Sequence, residues 1–264
     1  MPPIDLPGVR VRVRAIAEQF SDPPACLASI HALLADYADP SHRASRKLAD
    51  SAPPNALKTP APVVRQIINA LRQPARAAPR AALPLLKGLW AAGLREERRI
   101  AAELLGFVAS HIPVEALALV EVWLPEVESA ETADALAEHG LGPLALADPA
   151  AHVQYALRWV MHPLKWTRRF GLASLGPLVK DRQWDDVPGA LGVVRAAMND
   201  VEPEIRKAAA SVLCDLLPKS PAEVNLFLRE QAARSNPNTH LIVRAVMLRL
   251  TPEDQAELIK VMRT

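Results

Sequence analysis

The stretch WTRRFGLASLGPLV, residues 166–179, carries the pattern that decides the fold. Its apolar and small residues recur at intervals of three and four, the spacing that one buried face of an α-helix requires. Arg169 stands immediately before the first run of them. The segment AHVQYALRWVMHP, residues 151–163, precedes this stretch and is also apolar. The two segments together predict a helix–turn–helix unit.

The same pattern occurs six times when the chain is aligned on one anchor residue. The segments are PVVRQIINAL at Arg65, EERRIAAELLGFV at Arg99, ETADALAEHGLGPL at Asp134, WTRRFGLASLGPLV at Arg169, PEIRKAAASVLCDLL at Arg206 and LIVRAVMLRL at Arg244. Successive anchors are 34, 35, 35, 37 and 38 residues apart. Repeats of this length bury their apolar faces against their neighbours in sequence, and an early arginine in the second helix is typical of HEAT-like repeats. We therefore predict an all-α fold: a C-shaped, right-handed superhelix (α-solenoid) of about six HEAT-like helix–turn–helix repeats.

The composition agrees with many short helices. Hydrophobic residues, mainly Ala and Leu, make up 50% of the 264 residues, and aromatic residues only 4%. Most of the 25 prolines stand where a segment begins, a place where the missing N–H of proline costs a helix nothing. We predict a single HEAT-like repeat domain over residues 1–264, with residues 1–60 as N-terminal capping helices and residues 61–264 as repeats.

The sequence offers no sign of a metal centre, a cofactor or a membrane. Cys26 and Cys214 are far apart and outside any CxxC motif, and the histidines lack the spacing of metal ligands. The N-terminus lacks the layout of a signal peptide, and no apolar run approaches the roughly 20 residues that span a bilayer. We predict a soluble, cytoplasmic protein that is monomeric and needs neither metal nor cofactor.

Charge is strongly segregated along the chain. No Lys or Arg lies between Arg99 and Arg158, whereas nine carboxylates do, and both flanking regions are basic. Five of the six anchors are arginines, which suits binding to the regular phosphates of a nucleic acid. The alternative is that these arginines bond internally, to loop carbonyls or to a carboxylate of the adjacent repeat. Further basic residues lie around Trp166, namely Lys165, Arg168 and Arg169, and one repeat later at Lys207.

The series NALKTPAPVVRQI, LWAAGLREERRIAAELLGFV, ETADALAEHGLGPL and LRWVMHPLKWTRRFGLASLGPLV resembles the HEAT-like DNA alkylation repair family (AlkD-type alkylpurine DNA glycosylases), over about residues 40–235. The resemblance implies a clamp that holds duplex DNA on a basic concave face, and we predict damaged or branched duplex DNA as the partner. It also implies metal-free release of N-alkylated purines. Asp134 matches the catalytic carboxylate of the family, and Arg169 matches an arginine that contacts the DNA backbone.

The aromatic residues of the family's pocket are missing from this chain. Around the carboxylate the family has Trp-Trp-Asp-x-x-Asp, whereas residues 129–134 are Ser-Ala-Glu-Thr-Ala-Asp. A further family tryptophan corresponds to Ser211, and an N-terminal tyrosine has no counterpart. Trp123, Trp166 or Trp184 are the candidates to supply a ring from elsewhere. Such rings attract cationic bases, so their loss reduces the expected lesion preference.

Three functions follow as hypotheses. The first is a glycosylase of altered specificity with Asp134 as its catalytic residue, and the second is a DNA-binding protein without chemistry. The third is a scaffold that binds a basic protein through the acidic surface of residues 100–157. The predicted DNA-binding residues are Arg65, Arg99, Lys165, Trp166, Arg168, Arg169, Arg206, Lys207 and Arg244.

Overall fold

A computed structural model describes residues 5–38 and 55–262. Within these ranges the regular structure is helical and contains no strand. The α-helices are α1 (Leu6–Glu18), α2 (Pro23–Asp36), α3 (Ala61–Ala77), α4 (Leu83–Ala91), α5 (Arg95–Val108), α6 (Pro113–Trp123), α7 (Ala130–Ala135), α8 (Gly142–Ala147), α9 (Pro149–Val160), α10 (Lys165–Ala173), α11 (Gly176–Lys180), α12 (Val187–Ala197), α13 (Pro203–Leu216), α14 (Pro221–Ala232), α15 (Pro237–Met247) and α16 (Pro252–Val261). The predicted all-α fold of helical repeats is confirmed, while its handedness and curvature stay predictions.

Proline marks the starts of many of these helices, as the sequence predicts. Seven of the ranges above begin with proline. At two of these starts a preceding aspartate caps the helix: Asp22 accepts the N–H of Ala25, and Asp148 accepts that of Ala151. The cap satisfies a backbone donor that has no partner inside the helix, and proline presets the backbone of the first turn. The helix starts are therefore fixed locally.

The chain divides into two compact units. Unit 1 comprises residues 1–123 and 139–143, and unit 2 comprises residues 124–138 and 144–264. In unit 1, α1, α3 and α5 stack side by side, and α4 packs against α2 and α5. In unit 2, α7, α10, α13 and α15 form one layer, and α9, α12, α14 and α16 form the layer behind it. The prediction of a single repeat domain stays a prediction.

The two layers of unit 2 come close enough to require glycine at one crossing. A Cβ atom added to Gly171 of α10 would lie 2.7 Å from the backbone nitrogen of Val160 in α9. Around the crossing, Phe170 packs edge-on against Trp159 with ring centroids 4.8 Å apart. This contact fixes the position of α10 on α9, and with it the start of α10, where the candidate site lies.

No helix in the described part of the chain is long and apolar enough to cross a membrane.

Candidate functional site

Asp134 is the fifth residue of α7, a helix of only six residues. The hydroxyl of Ser129 caps this helix by accepting the backbone N–H of Thr132 at 3.2 Å. A single π-helical turn, Leu136–Gly140, follows directly. Turns of this kind are rare in proteins, and those that occur are often found at functional sites. The carboxylate side chain is 35% exposed. Its position is thus set by a cap on one side and an irregular turn on the other.

Arg169, the fifth residue of α10, holds the Asp134 carboxylate through two hydrogen bonds, which is the internal pairing that the alternative interpretation of the anchor arginines predicts. Nε donates to Oδ1 at 2.9 Å and Nη2 donates to Oδ2 at 2.6 Å, while the arginine is only 14% exposed. Nη1 donates to the backbone carbonyl of Glu204 at 2.8 Å, with the Glu204 carboxylate 3.7 Å away. Paired bonds of this kind fix both partners in orientation. Each carboxylate oxygen still has acceptor capacity, so Asp134 can face a positive charge.

Arg168 is bonded entirely within the protein. Nε and Nη2 donate to the two carboxylate oxygens of Asp200 at 2.6 and 3.2 Å, and Nη1 donates to the carbonyls of His162 and Pro163. Both partners of the ion pair are largely buried. Arg168 joins the loop before α10 to the loop before α13, which is a structural role. Its predicted contact with DNA therefore finds no support in this geometry.

Arg206 repeats the bonding of Arg168 one repeat later. Its Nη1 donates to the carbonyls of Asp200 and Val201 and to the side-chain oxygen of Asn238. Counted from the helix starts, Arg206 is the fourth residue of α13, as Arg168 is of α10. It connects the loop before α13 to the first turn of α15.

The anchor column predicted from sequence needs a correction at two positions. The fifth residue is Arg65 in α3, Arg99 in α5, Asp134 in α7 and Arg169 in α10. In α13 it is Lys207, and in α15 it is Leu241, because these helices begin at Pro203 and Pro237. Arg206 and Arg244 are the fourth and eighth residues of their helices, so they were aligned by residue type and not by helix position.

The remaining predicted residues of unit 2 differ in their partners. Lys207 is 70% exposed and pairs with Glu204 at 3.0 Å. Lys165 lies 4.6 Å from the centre of the partly exposed Trp166 ring and 3.7 Å from the Glu202 carboxylate. Unit 2 therefore offers two cations and one ring near the start of α10 and α13.

The other anchors lie in different surroundings. Arg244 is exposed on α15, and Arg65 is exposed on α3. Arg99 donates from Nε to Glu103 at 3.0 Å, one turn along α5. Their predicted contacts with DNA stay predictions.

The rings proposed as substitutes for the lost pocket are not equally available. Trp123 is buried and stacks on Trp90 with centroids 4.4 Å apart. Trp184 is also buried, which leaves Trp166 as the partly exposed one. Ser211, where the family has a tryptophan, is exposed on α13.

Carboxylates that sequence reasoning passed over complete the site. The Asp200 carboxylate accepts from Arg168, 32 residues earlier. Glu204 accepts from Arg169, 35 residues earlier, through its backbone carbonyl, and its carboxylate lies 3.7 Å from the guanidinium. The repeat period could have predicted these contacts, because residues one repeat apart lie side by side at the starts of neighbouring helices. No group of three metal-ligating side chains occurs within residues 5–38 and 55–262, and the absence of a metal stays a prediction.

Comparison with known proteins agrees with this arrangement of helices. The curated proteins searched contain no match to the chain. The model of the family described as DNA alkylation repair enzyme matches residues 30–242. This range includes Asp134, Arg169 and both carboxylates that hold the arginines of α10. Because the match covers most of its length, the chain belongs to the DNA alkylation repair enzyme family.

Proposed function

We propose that the protein binds duplex DNA that carries an alkylated purine, and that Asp134 is the carboxylate that faces the positive charge of the lesion. The observation that carries this proposal is the Asp134–Arg169 pair. The carboxylate is oriented by two short bonds yet remains 35% exposed. A fixed, accessible negative charge is what a cationic base or sugar requires.

The chemistry that such a carboxylate supports is cleavage of the bond between the sugar and an N-alkylated purine. The bonding electrons leave with the purine and neutralise its positive charge, so the sugar is left as an oxocarbenium ion. Asp134 stabilises that developing charge, and water then adds to the sugar and loses a proton. Arg169 is a positioning residue here, since its two hydrogen bonds fix the direction of the carboxylate without touching the lesion.

The missing aromatic rings make DNA binding without base release the second candidate. A carboxylate already paired with arginine is a weaker attractant for a cation than a free one, because much of its charge is balanced. Ser129, Ala130 and Ser211 stand where the family has tryptophans, so small side chains replace the ring contacts of the family. Both candidates share DNA binding and differ only in whether the base leaves.

The scaffold alternative receives less support from the carboxylates of residues 100–157. In unit 1, Glu103 pairs with Arg99 and Glu115 pairs with Arg80. In unit 2, Asp134 and Glu138 pair with Arg169 and Lys180. A basic protein would have to compete with these internal partners.

The test measures binding and base release on the same DNA. Wild type, Asp134→Asn and the matched control Glu230→Gln, which removes an exposed carboxylate paired with Arg195, are incubated with alkylated and intact duplexes. We expect salt-sensitive binding in all three and release lowered roughly 10²-fold or more by Asp134→Asn alone. Binding with no release above the Asp134→Asn level selects the second candidate. Absence of DNA binding at low salt would refute both.

A further inference from the structure

Helix α3 lies within a long stretch of the chain that has basic residues and no acidic ones. Between Asp50 and Glu96 there is no carboxylate, whereas there are seven Lys and Arg residues. Three of these arginines, Arg65, Arg72 and Arg76, lie on α3. The helix therefore has no acidic side chain of its own to balance them.

The three arginines project from one side of α3. They are separated by seven and four residues, which are close to two turns and one turn of an α-helix. All three are exposed, and within the described residues none of them pairs with a carboxylate. At 1.5 Å per residue they extend over about 16 Å. One strand of duplex DNA presents about five phosphates over that length.

Phe107 of α5 holds two of these guanidinium groups. The Cζ atoms of Arg72 and Arg76 lie 4.9 and 5.5 Å from the centre of its ring. Attraction between a guanidinium and an aromatic ring orders the side chain but uses none of its N–H groups as conventional donors. Two arginines are thus ordered side by side with their donors left for an anion.

Other arginines of unit 1 show what happens where a carboxylate is within reach. Arg12 pairs with Asp36 at 2.8 Å, Arg80 with Glu115 at 3.2 Å and Arg99 with Glu103 at 3.0 Å. The arginines of α3 differ from these in lacking an internal anion, so an external anion is the complementary partner.

We infer that Arg65, Arg72 and Arg76 form a phosphate-binding strip that contacts the backbone of duplex DNA regardless of whether a base is damaged. The inference rests on the proposed binding of DNA and adds a contact surface far in sequence from Asp134. Duplex DNA fits the strip because it presents anions in a regular series, and the three guanidinium groups are themselves arranged in a row. Asp134 acts on the damaged base, whereas the strip contributes to the affinity for duplex DNA of any kind.

The experiment compares Arg72→Gln/Arg76→Gln with a charge-matched control, Lys87→Gln/Arg234→Gln. Lys87 and Arg234 are exposed and lie on α4 and just after α14. Affinity is measured for intact and alkylated duplexes across a salt titration, after circular dichroism has confirmed folding. The α3 variant should weaken binding to both duplexes by the same factor and reduce the salt slope by about 2. The control should keep the slope of the wild type, and Phe107→Leu should weaken binding to a smaller extent.

A second readout locates the contact without a substitution. Arginine-specific dicarbonyl labelling of the wild type, read by mass spectrometry, should be suppressed by duplex DNA at Arg72 and Arg76 and unchanged at Arg234. An unchanged slope and unprotected arginines, with DNA still bound by the wild type, would overturn the strip but leave the proposed function standing. Wild type that binds no DNA would overturn both.

Discussion

The arginines of α3 and those of α10 differ sharply in what their side chains contact. On α10, Arg168 and Arg169 are largely buried and donate to carboxylates and carbonyls of neighbouring loops and helices. On α3, Arg72 and Arg76 are exposed and lie over an aromatic ring. The same residue type is therefore paired inside the protein on α10, whereas on α3 it pairs with no carboxylate of the described residues.

The difference depends on which carboxylates the neighbouring helices supply. Asp200 and Glu204 stand at the start of the next helix of unit 2 and meet α10. The region around α3 has no acidic residue in sequence between Asp50 and Glu96. A cation near a carboxylate is held by it, and one without such a neighbour stays solvated. Charge count alone therefore does not identify a nucleic-acid surface.

The largest expected effect is on stability, from matched substitutions in the two helices. Arg168→Met should lower the free energy of unfolding by about 3–5 kcal/mol, because it leaves the 10% exposed Asp200 carboxylate without its partner. Arg72→Met should change it by no more than about 0.5 kcal/mol, as expected for a surface side chain. Urea denaturation of the two variants measures both. Equal losses would show that the contrast between the helices has been misjudged.

A smaller effect on stability is expected at the close crossing of α9 and α10. Gly171→Ala places a Cβ atom 2.7 Å from the Val160 nitrogen and 2.9 Å from the Ala156 carbonyl, both backbone atoms. We expect a loss of about 1–3 kcal/mol, the usual cost of overpacking. Gly192→Ala in α12 is the control, because nothing lies within 4 Å of its added Cβ. It should stabilise the helix by about 0.5–1 kcal/mol. Thermal unfolding that ranks the two variants the other way would refute the packing argument.

The smallest expected effect is a pH dependence of the free energy of unfolding, and it comes from a buried histidine beside the C-terminal end of α10. His152 of α9 is buried, and its Nε2–H donates to the carbonyl of Ser174, the C-cap residue that follows α10, at 2.9 Å. Burial lowers the pKa of His152 below its usual 6.5, although the hydrogen bond to Ser174 opposes the shift. The unfolded chain then binds a proton that the folded chain excludes. Stability should be full above pH 6.5 and fall as the pH drops below it, by at most about 1.4 kcal/mol per pH unit.

The measurement for this last prediction is the pH dependence of unfolding in the wild type and in His152→Gln. The variant should be less stable at neutral pH because its side chain fits the site less well, but it should lose less stability between pH 6.5 and 5. An identical slope in both proteins would assign the pH dependence to other groups.

The candidate site was predictable in part. The repeat pattern and the match to the family both indicated Asp134, and the structure pairs it with Arg169, the other residue carried over from the family. The alignment of Arg206 and Arg244 with the column was wrong, because it followed residue type where the helix starts decide the register. Arg72 and Arg76 lie in a stretch rich in proline and alanine, which favours a connection between helices in which they are only solubilising charges. The structure instead continues α3 through Pro74 to Ala77.

The sequence alone determined the helices of this protein and their order. Apolar spacing, proline positions and capping side chains act within a few residues, so they can be identified in one chain without its structure. Tertiary structure decided which arginines pair with carboxylates and carbonyls of the protein and which remain exposed. Arg169 meets Asp134 and Glu204 from 35 residues away on each side, and Arg72 meets Phe107 across two helices. Such pairings depend on how helices stack, because electrostatic and ring contacts act only over a few ångströms between side chains that folding brings together.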